Sequence, residues 1–178
     1  ERLIRIVEDL DEIAQLDSGG IKLNITRFDI VAVTNEVIEM LEMKARKRKI
    51  NLVCNKPDKS IYVEGDQERI LQVITNIIEN SIRYGIEEGQ VTIDFIDVNK
   101  QILTEITDNG NGIDPDELPR VFERFYRTPR GRAAFSKGKG LGLAIVKHII
   151  EAHNQTINAR SIIGVGSTFG FTLNKRSP

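Results

Sequence analysis

Two glycine clusters constrain this chain more than any other feature of its sequence. The first runs from Asp108 to Gly112 and the second from Gly138 to Leu143. Glycine allows positive φ angles and a close approach of ligand to backbone, and successive N–H groups can then point at an anion. An apolar helical pattern follows the second cluster directly, and a helix N-terminus favours phosphate. Together the clusters predict a nucleotide site, although either alone could be a tight turn or a loose helix entry.

The stretch between the clusters carries charge of one sign. It contains no Asp or Glu from Arg124 to Lys139, and its basic residues are Arg124, Arg127, Arg130, Arg132, Lys137 and Lys139. Such a charge suits a polyphosphate. Gly138 has no glycine five residues before it, no Ser or Thr follows Lys139, and G-x-G-x-x-G does not occur. Walker, Rossmann and protein-kinase loops are therefore excluded.

The segment from Asp66 to Tyr84 is predicted to be an amphipathic helix, with Asp66 as its cap. Its isoleucines and valine cover one arc, and the opposite arc carries Gln72, Asn76, Glu79, Asn80 and Arg83, with Tyr84 at the border. Polar helix faces are usually only solvated. Two amides one turn apart nevertheless offer oxygen ligands, and the arginine and tyrosine add a phosphate donor and a stacking ring.

The remaining pattern predicts the fold class. Asp29 can cap a helix from Ile30 to Arg48, and a third long helix spans Gly140–His153. Strands are predicted at 23–25, 50–54, 61–64, 91–98, 102–107, 156–162 and 167–173. Hairpins rather than strict βα alternation indicate an α+β two-layer sandwich, with a mixed, mostly antiparallel sheet and helices on one face. We interpret the basic run 44–49 as solvated charge at a helix C-terminus rather than a binding patch.

Composition sets the outer limits. A chain of 178 residues with net charge −1 can bury one core and lacks the basic surface that nucleic acid requires. Cys54 is the only cysteine, which excludes an intrachain disulfide and a cysteine-rich metal site. No run approaches the ~18 apolar residues of a membrane span, and we expect no signal peptide in this sequence. Residues 1–16 form an amphipathic pattern without an initial Met. We expect a helix that packs either on this domain or on a segment beyond the chain.

Five segments resemble the catalytic and ATP-binding domain of bacterial sensor histidine kinases. Residues 76–84 resemble the N box of that family, 108–112 its G1 box, 122–127 its F box, 138–143 its G2 box and 166–169 its last conserved segment. The resemblance implies the Bergerat ATP-binding fold over residues 21–178, with a lid from about Ile113 to Gly140. It also implies that residues 1–20 are the end of the second dimerisation helix and a linker.

The resemblance assigns roles to individual residues. Asp108 would accept a hydrogen bond from the adenine amino group, and Asn80, with Asn76 as a weaker candidate, would ligate Mg²⁺. Glu79 would be the general base, unless it is simply an exposed helix glutamate. The other implied ATP-binding residues are Arg83 at phosphate, Tyr84 at adenine, Gly110, Gly112 and Ile113 in the pocket wall, Gly138, Lys139, Gly140, Leu141 and Gly142 around the phosphates, and Thr168 through water. Lys139 and Asn154-Gln155 depart from the usual pattern.

The implied activity is transfer of the γ-phosphoryl group of ATP to a histidine on the dimerisation helices of a homodimer, leaving ADP, and then to an aspartate of a response regulator. The resemblance also implies a cytoplasmic domain of a membrane-anchored sensor. His148 and His153 lack the acidic surroundings of a phosphoacceptor, so we expect both to be structural. Two alternatives are a non-catalytic, nucleotide-dependent interaction module and another ATPase or serine kinase of the same fold.

Overall fold

The computed structural model describes Ala14, residues 22–55, Pro57, residues 59–134 and residues 139–176, except the side chains at 130 and 134. The predicted helix at 1–16, the linker after it and Gly138 therefore lie outside the described residues, apart from Ala14. No helix among the described residues is long and apolar enough to cross a membrane.

The described chain forms one seven-stranded sheet with helices packed on it. The strands are β1 (Thr26–Asp29), β2 (Asn51–Cys54), β3 (Tyr62–Gly65), β4 (Gln90–Val98), β5 (Gln101–Asp108), β6 (Ile157–Ile162) and β7 (Gly166–Lys175). The helices are α1 (Ile30–Lys47), α2 (Gln67–Tyr84), α3 (Pro129–Ala134) and α4 (Gly142–Ala152), with a 3₁₀ turn at Leu118–Arg120.

The sheet is mixed and mostly antiparallel, as the sequence predicts. Its order is β1-β3-β7-β5-β4-β2, and β6 pairs with β7 beside this path. Only the β2–β4 pair is parallel among the described strands. Alternate residues of the central strands join α1, α2 and α4 in one apolar core, in which Phe169, Phe171 and five isoleucines of α2 are almost fully buried. The α+β sandwich is confirmed.

Aspartate caps begin both long helices where the sequence places them. The Asp29 carboxylate accepts a hydrogen bond from the Val31 N–H at 3.0 Å, and that of Asp66 accepts from the Arg69 N–H at 3.1 Å. Each bond satisfies one of the N–H groups that a helix N-terminus leaves unpaired. Asp66 also accepts from the Asn24 N–H at 2.8 Å, which ties the chain before β1 to the start of α2.

Two sequence predictions need correction, and the packing of two loop phenylalanines adds a further detail. The first strand is β1 rather than 23–25, because pairing with β3 places Phe28 opposite Val63 and buries both. The helix α4 starts at Gly142, since Gly140 has φ +72° and cannot be helical. Phe122 anchors its loop by an edge-to-face contact with Phe169 at 6.2 Å, whereas Phe125 leaves 60% of its surface exposed and does not anchor it.

Candidate functional site

A cavity of about 940 Å³ lies between α2, the end of β5 and the segment that leads into α4. It brings the polar face of α2 together with both glycine clusters. The predicted site residues that line it are Asn76, Glu79, Asn80, Arg83, Tyr84, Asp108, Gly112, Ile113, Lys139, Gly140, Leu141 and Gly142. Residues that are remote in the sequence thus line one continuous cavity.

One end of the cavity holds a buried carboxyl group. Asp108 is the last residue of β5, pairs with Ser167 of β7 and is only 7% exposed. Burial raises the pKa of Asp108, although the N–H groups of Gly110 and Ser167 and the Ser81 hydroxyl oppose the rise. The Gly110 N–H donates to its Oδ1 at 2.9 Å. A carboxyl group held in this way is a strong acceptor for a donor on a ligand.

Ser81 adds a second polar group at this end. It lies on α2, is fully buried and faces Asp108. Its hydroxyl nonetheless has no well-formed hydrogen bond to any described residue. The Asp108 carboxyl is the polar group that it faces, so the two residues form one polar end of the site.

The two glycines of the first cluster have no room for a side chain. A Cβ on Gly110 would lie 2.8 Å from Asp108 Oδ1, and one on Gly112, where φ is +71°, would lie 2.2 Å from the Ile162 carbonyl oxygen. The following Ile113 N–H donates to Ser161 Oγ at 2.8 Å. Glycine here lets the loop run between α2 and the β6–β7 turn and so shapes the cavity wall.

The polar face of α2 forms the opposite wall. The Asn76 side-chain nitrogen donates to the Gly142 carbonyl at 3.3 Å, so its oxygen is the end of the amide that can reach a cation. Glu79 lines the cavity and forms an ion pair with Lys44 of α1, with Nζ and Oε1 2.5 Å apart. No group of three or more His, Cys, Asp or Glu residues that could hold a metal ion occurs within the described part of the chain. A metal would therefore depend on asparagine oxygens and on a ligand.

Residues of α3 and of the loop before it contribute to the cavity wall. Gly131 of α3 is buried, and a Cβ there would lie 3.1 Å from Tyr84 Cε1. Its N–H donates to Thr128 Oγ1 at 3.1 Å, and its carbonyl accepts from the Arg127 guanidinium at 2.8 Å. These contacts place Arg127 and Thr128 among the lining residues.

The start of α4 supplies backbone donors. Leu141 occupies the N-cap position, and no side chain caps the helix. The N–H groups of its first turn are therefore free of intrahelical partners, and Leu141, Gly142 and Leu143 line the cavity. Just before them, the Phe125 N–H donates a hydrogen bond to the Gly140 carbonyl at 2.9 Å and holds this residue in place. Lys139 brings its positive charge to the same end.

Thr168 does not line the cavity, and its neighbour Ser167 does. The Thr168 hydroxyl lies 3.0 Å from that of Thr107. Successive strand residues point to opposite faces, so the burial of Phe169 and Phe171 places Ser167 on the cavity side. That alternation was present in the sequence and was the missed signal. Ten further lining residues received no individual role from the sequence, although Arg127 belongs to the basic stretch that suggested a polyphosphate: Arg48, Gly85, Asn111, Val121, Tyr126, Arg127, Thr128, Gly131, Leu143 and Phe169.

The two histidines lie apart from the lining residues. His153 Nδ1 lies 2.7 Å from the Ile149 carbonyl, and its Nε2 accepts from the Asp66 N–H at 2.9 Å. Because Nε2 accepts this bond, Nδ1 is the nitrogen that can donate to the Ile149 carbonyl. His153 therefore joins the end of α4 to the start of α2, a structural role. His148 lies half-buried on α4.

Known proteins share this sequence and fold. Residues 65–177 match the family model described as histidine kinase-, DNA gyrase B- and HSP90-like ATPase. Sensor histidine kinase WalK of Bacillus subtilis (strain 168) is 40% identical over 176 residues, which cover 97% of this chain and 28% of that protein. Full-length ShkA in complex with AMPPNP has a TM-score of 0.82 at 25% identity, over 99% of this chain and 37% of that one.

A second solved structure, histidine kinase ThkA in complex with response regulator protein TrrA, has a TM-score of 0.77 at 27% identity, over 98% of this chain and 48% of that one. The chain spans less than half the length of the curated relatives it matches first. It belongs to the histidine kinase-, DNA gyrase B- and HSP90-like ATPase family, as the catalytic domain of a two-component sensor histidine kinase.

Proposed function

We propose that this domain binds ATP with Mg²⁺ in the 940 Å³ cavity and transfers the γ-phosphoryl group to a histidine on the dimerisation helices of the whole protein. The observation that carries the proposal is the distribution of charge along one cavity. The buried carboxyl of Asp108 lies at one end, and Arg83, Arg127 and Lys139 supply cations elsewhere on the wall. This polarity fits a nucleotide, whose base offers a donor and whose phosphates need cations.

The adenine end is proposed to be the space beside Asp108 and Ser81. An ionised carboxylate accepts from an exocyclic amino group but repels a carbonyl oxygen, so this end would select adenine over guanine. Tyr84, which lines the same cavity, would contact the base by stacking or edge contact. The ShkA structure, which contains AMPPNP, supports nucleotide binding by this fold.

Magnesium is proposed to bind through Asn80, with the Asn76 oxygen as an additional ligand. These amides fit the ion, because Mg²⁺ keeps several waters and takes few protein oxygens, the rest coming from phosphate. When bound, the ion would neutralise phosphate charge. Lys139, Arg83 and the N–H groups at the start of α4 would hold the phosphates in place.

Transfer itself requires mainly positioning and charge neutralisation. We propose that the Glu79 carboxylate accepts the N–H proton of the acceptor imidazole. The other nitrogen of that ring, or the nitrogen that has lost its proton, forms a bond to the γ-phosphorus. The bond from that phosphorus to the β–γ bridging oxygen breaks, and ADP leaves. Glu79 is suited to this role by its place on the cavity wall beside Asn80.

The partners of the whole protein follow from the same proposal. Residues 1–20 would end a dimerisation helix and link it to the domain formed by residues 21–178, in a homodimer. The phosphohistidine would then react with an aspartate of a receiver domain, as the complex of ThkA with a response regulator supports. The domain would lie on the cytoplasmic side of a membrane-anchored sensor.

The test is phosphohistidine formation in a longer version of the protein that includes both dimerisation helices. Wild type should gain acid-labile label from ATP and Mg²⁺, Asn80→Ala should lose it with metal binding, and Glu79→Gln should bind ATP but transfer slowly. The 178-residue chain alone should bind ATP without labelling His148 or His153. Hydrolysis without transfer by the longer protein would favour another ATPase of this fold, and label on either of those histidines would contradict the proposal.

A further inference from the structure

The ion pair between Lys44 and Glu79 connects α1 to the cavity. Lys44 belongs to the basic run that the sequence led us to interpret as solvated charge, and its side chain is 48% exposed. It is not among the lining residues, whereas Glu79 is, with 33% of its side chain exposed. The ammonium group therefore reaches the carboxylate from outside the cavity wall.

This pair contributes little to the stability of the fold. Ion pairs with such exposure stabilise proteins only slightly, because water screens the charges and two long side chains lose freedom. The pair nevertheless favours one orientation of the carboxylate, since an unpaired glutamate on a helix surface samples several rotamers. Lys44 restricts Glu79 to the arrangement that places it on the wall.

Charge gives a second reason for the pair. Under the proposed function, Glu79 must remain close to a polyphosphate, which repels a carboxylate. The other cations on the wall are Arg48, whose guanidinium donates to the Gly85 carbonyl at 3.1 Å, and Arg83, Arg127 and Lys139, which would be engaged by the phosphates themselves. Lys44 lies outside the wall, so it can offset the charge of Glu79 without competing for the nucleotide.

We infer that Lys44 is a positioning residue for phosphoryl transfer, which holds the carboxylate of Glu79 against the repulsion of bound ATP. The inference rests on the proposed function and extends the set of residues that serve the reaction from α2 to α1. It places the effect of Lys44 on transfer rather than on nucleotide binding.

The experiment compares Lys44→Met, Lys44→Arg and Glu79→Gln in the longer protein with both dimerisation helices. Lys44→Met should lower the single-turnover transfer rate at saturating ATP by about tenfold, as misplaced catalytic groups do, with KM for ATP changed less than twofold. Lys44→Arg should restore most of the rate. In the Glu79→Gln background, Lys44→Met should have no further effect, because its role is exerted through that carboxylate.

Lys49 offers a matched control. Its Nζ lies 2.6 Å from Glu87 Oε1, and neither residue lines the cavity. Lys49→Met should leave transfer unchanged. If Glu79→Gln is slow but Lys44→Met transfers like wild type, or if the two substitutions are additive, the inference about Lys44 is wrong while the proposed function stands. If wild type binds ATP and does not transfer, the proposed function fails and the inference fails with it.

Discussion

At the residue scale, the chemistry of the site centres on Asp108. The sequence places it at the end of a strand, inside a glycine cluster, and the structure agrees. Its burial beside Ser81 and Ser167 was not predictable from local pattern, because it depends on the β5–β7 register and on the packing of α2 against the sheet. Pairing between distant segments decides such contacts, and propensity carries no information about them.

The raised pKa of Asp108 makes a prediction about stability. Below its ordinary pKa, folded and unfolded chains both hold the proton and burial has no cost. As pH rises towards the raised pKa, the folded chain keeps a proton that the unfolded chain has lost, and the free energy of unfolding falls. Above the raised pKa the cost is constant, at about 1.4 kcal/mol for each pH unit between the two pKa values.

Asp108→Asn removes this titration. The difference in unfolding free energy, variant minus wild type, should therefore increase as pH rises from about 4 towards the raised pKa of Asp108 and level off above it. Urea unfolding of both proteins across this range measures it. A difference that stays constant, or that shrinks as pH rises, would show that burial does not disfavour the ionised form.

At the element scale, the long helices and the β4–β5 hairpin were predictable, since their apolar periods, caps and turn residues are local. The short strand β1 was misplaced because its position is set by its partner β3. The loop before α4 was interpreted as a basic lid, and its contacts at Gly131 and Arg127 became visible only in the structure. The positions of short elements depend more on contacts with other segments than on their own residues.

His153 connects two elements, and its removal should destabilise the domain. His153→Ala leaves the N–H of Asp66, a buried residue, without its acceptor, so the free energy of unfolding should fall by about 1–3 kcal/mol. Lys147→Ala, on the exposed face of the same helix, should stay within about 0.5 kcal/mol of wild type. Denaturant unfolding gives both values. Equal stability of the two variants would contradict the structural role of His153.

The lid should be the least protected element of the site. Among the described side chains of residues 127–134, Pro129, Arg132 and Ala133 are exposed, and Gly131 makes local hydrogen bonds with Arg127 and Thr128. Their amides should exchange quickly in the free protein and more slowly when an ATP analogue and Mg²⁺ bind, whereas those in the middle of α2 should be protected in both states. Hydrogen exchange read by mass spectrometry tests this, and equal lid protection with and without nucleotide would exclude closure.

At the scale of the whole molecule, the sandwich was predictable from the order of helices and hairpins. The strand order and the parallel β2–β4 pair were not, because they depend on which distant segments meet. The same assembly forms the cavity, whose walls come from α2, β5, β7, the loop before α4 and α4 itself. Predicted site residues make up about half of that wall, and the structure added the rest, including Arg48, Ser167 and residues of the lid.

The most direct test of this account is calorimetry of ATP binding to the chain in the presence of Mg²⁺. Wild type should bind ATP and ADP. Asp108→Asn should weaken both at least tenfold, because the loss of one charge-assisted hydrogen bond in a buried site costs about 1.5–3 kcal/mol. An Asp108→Asn variant that folds and binds ATP as tightly as wild type would contradict the assignment of this cavity as the adenine site.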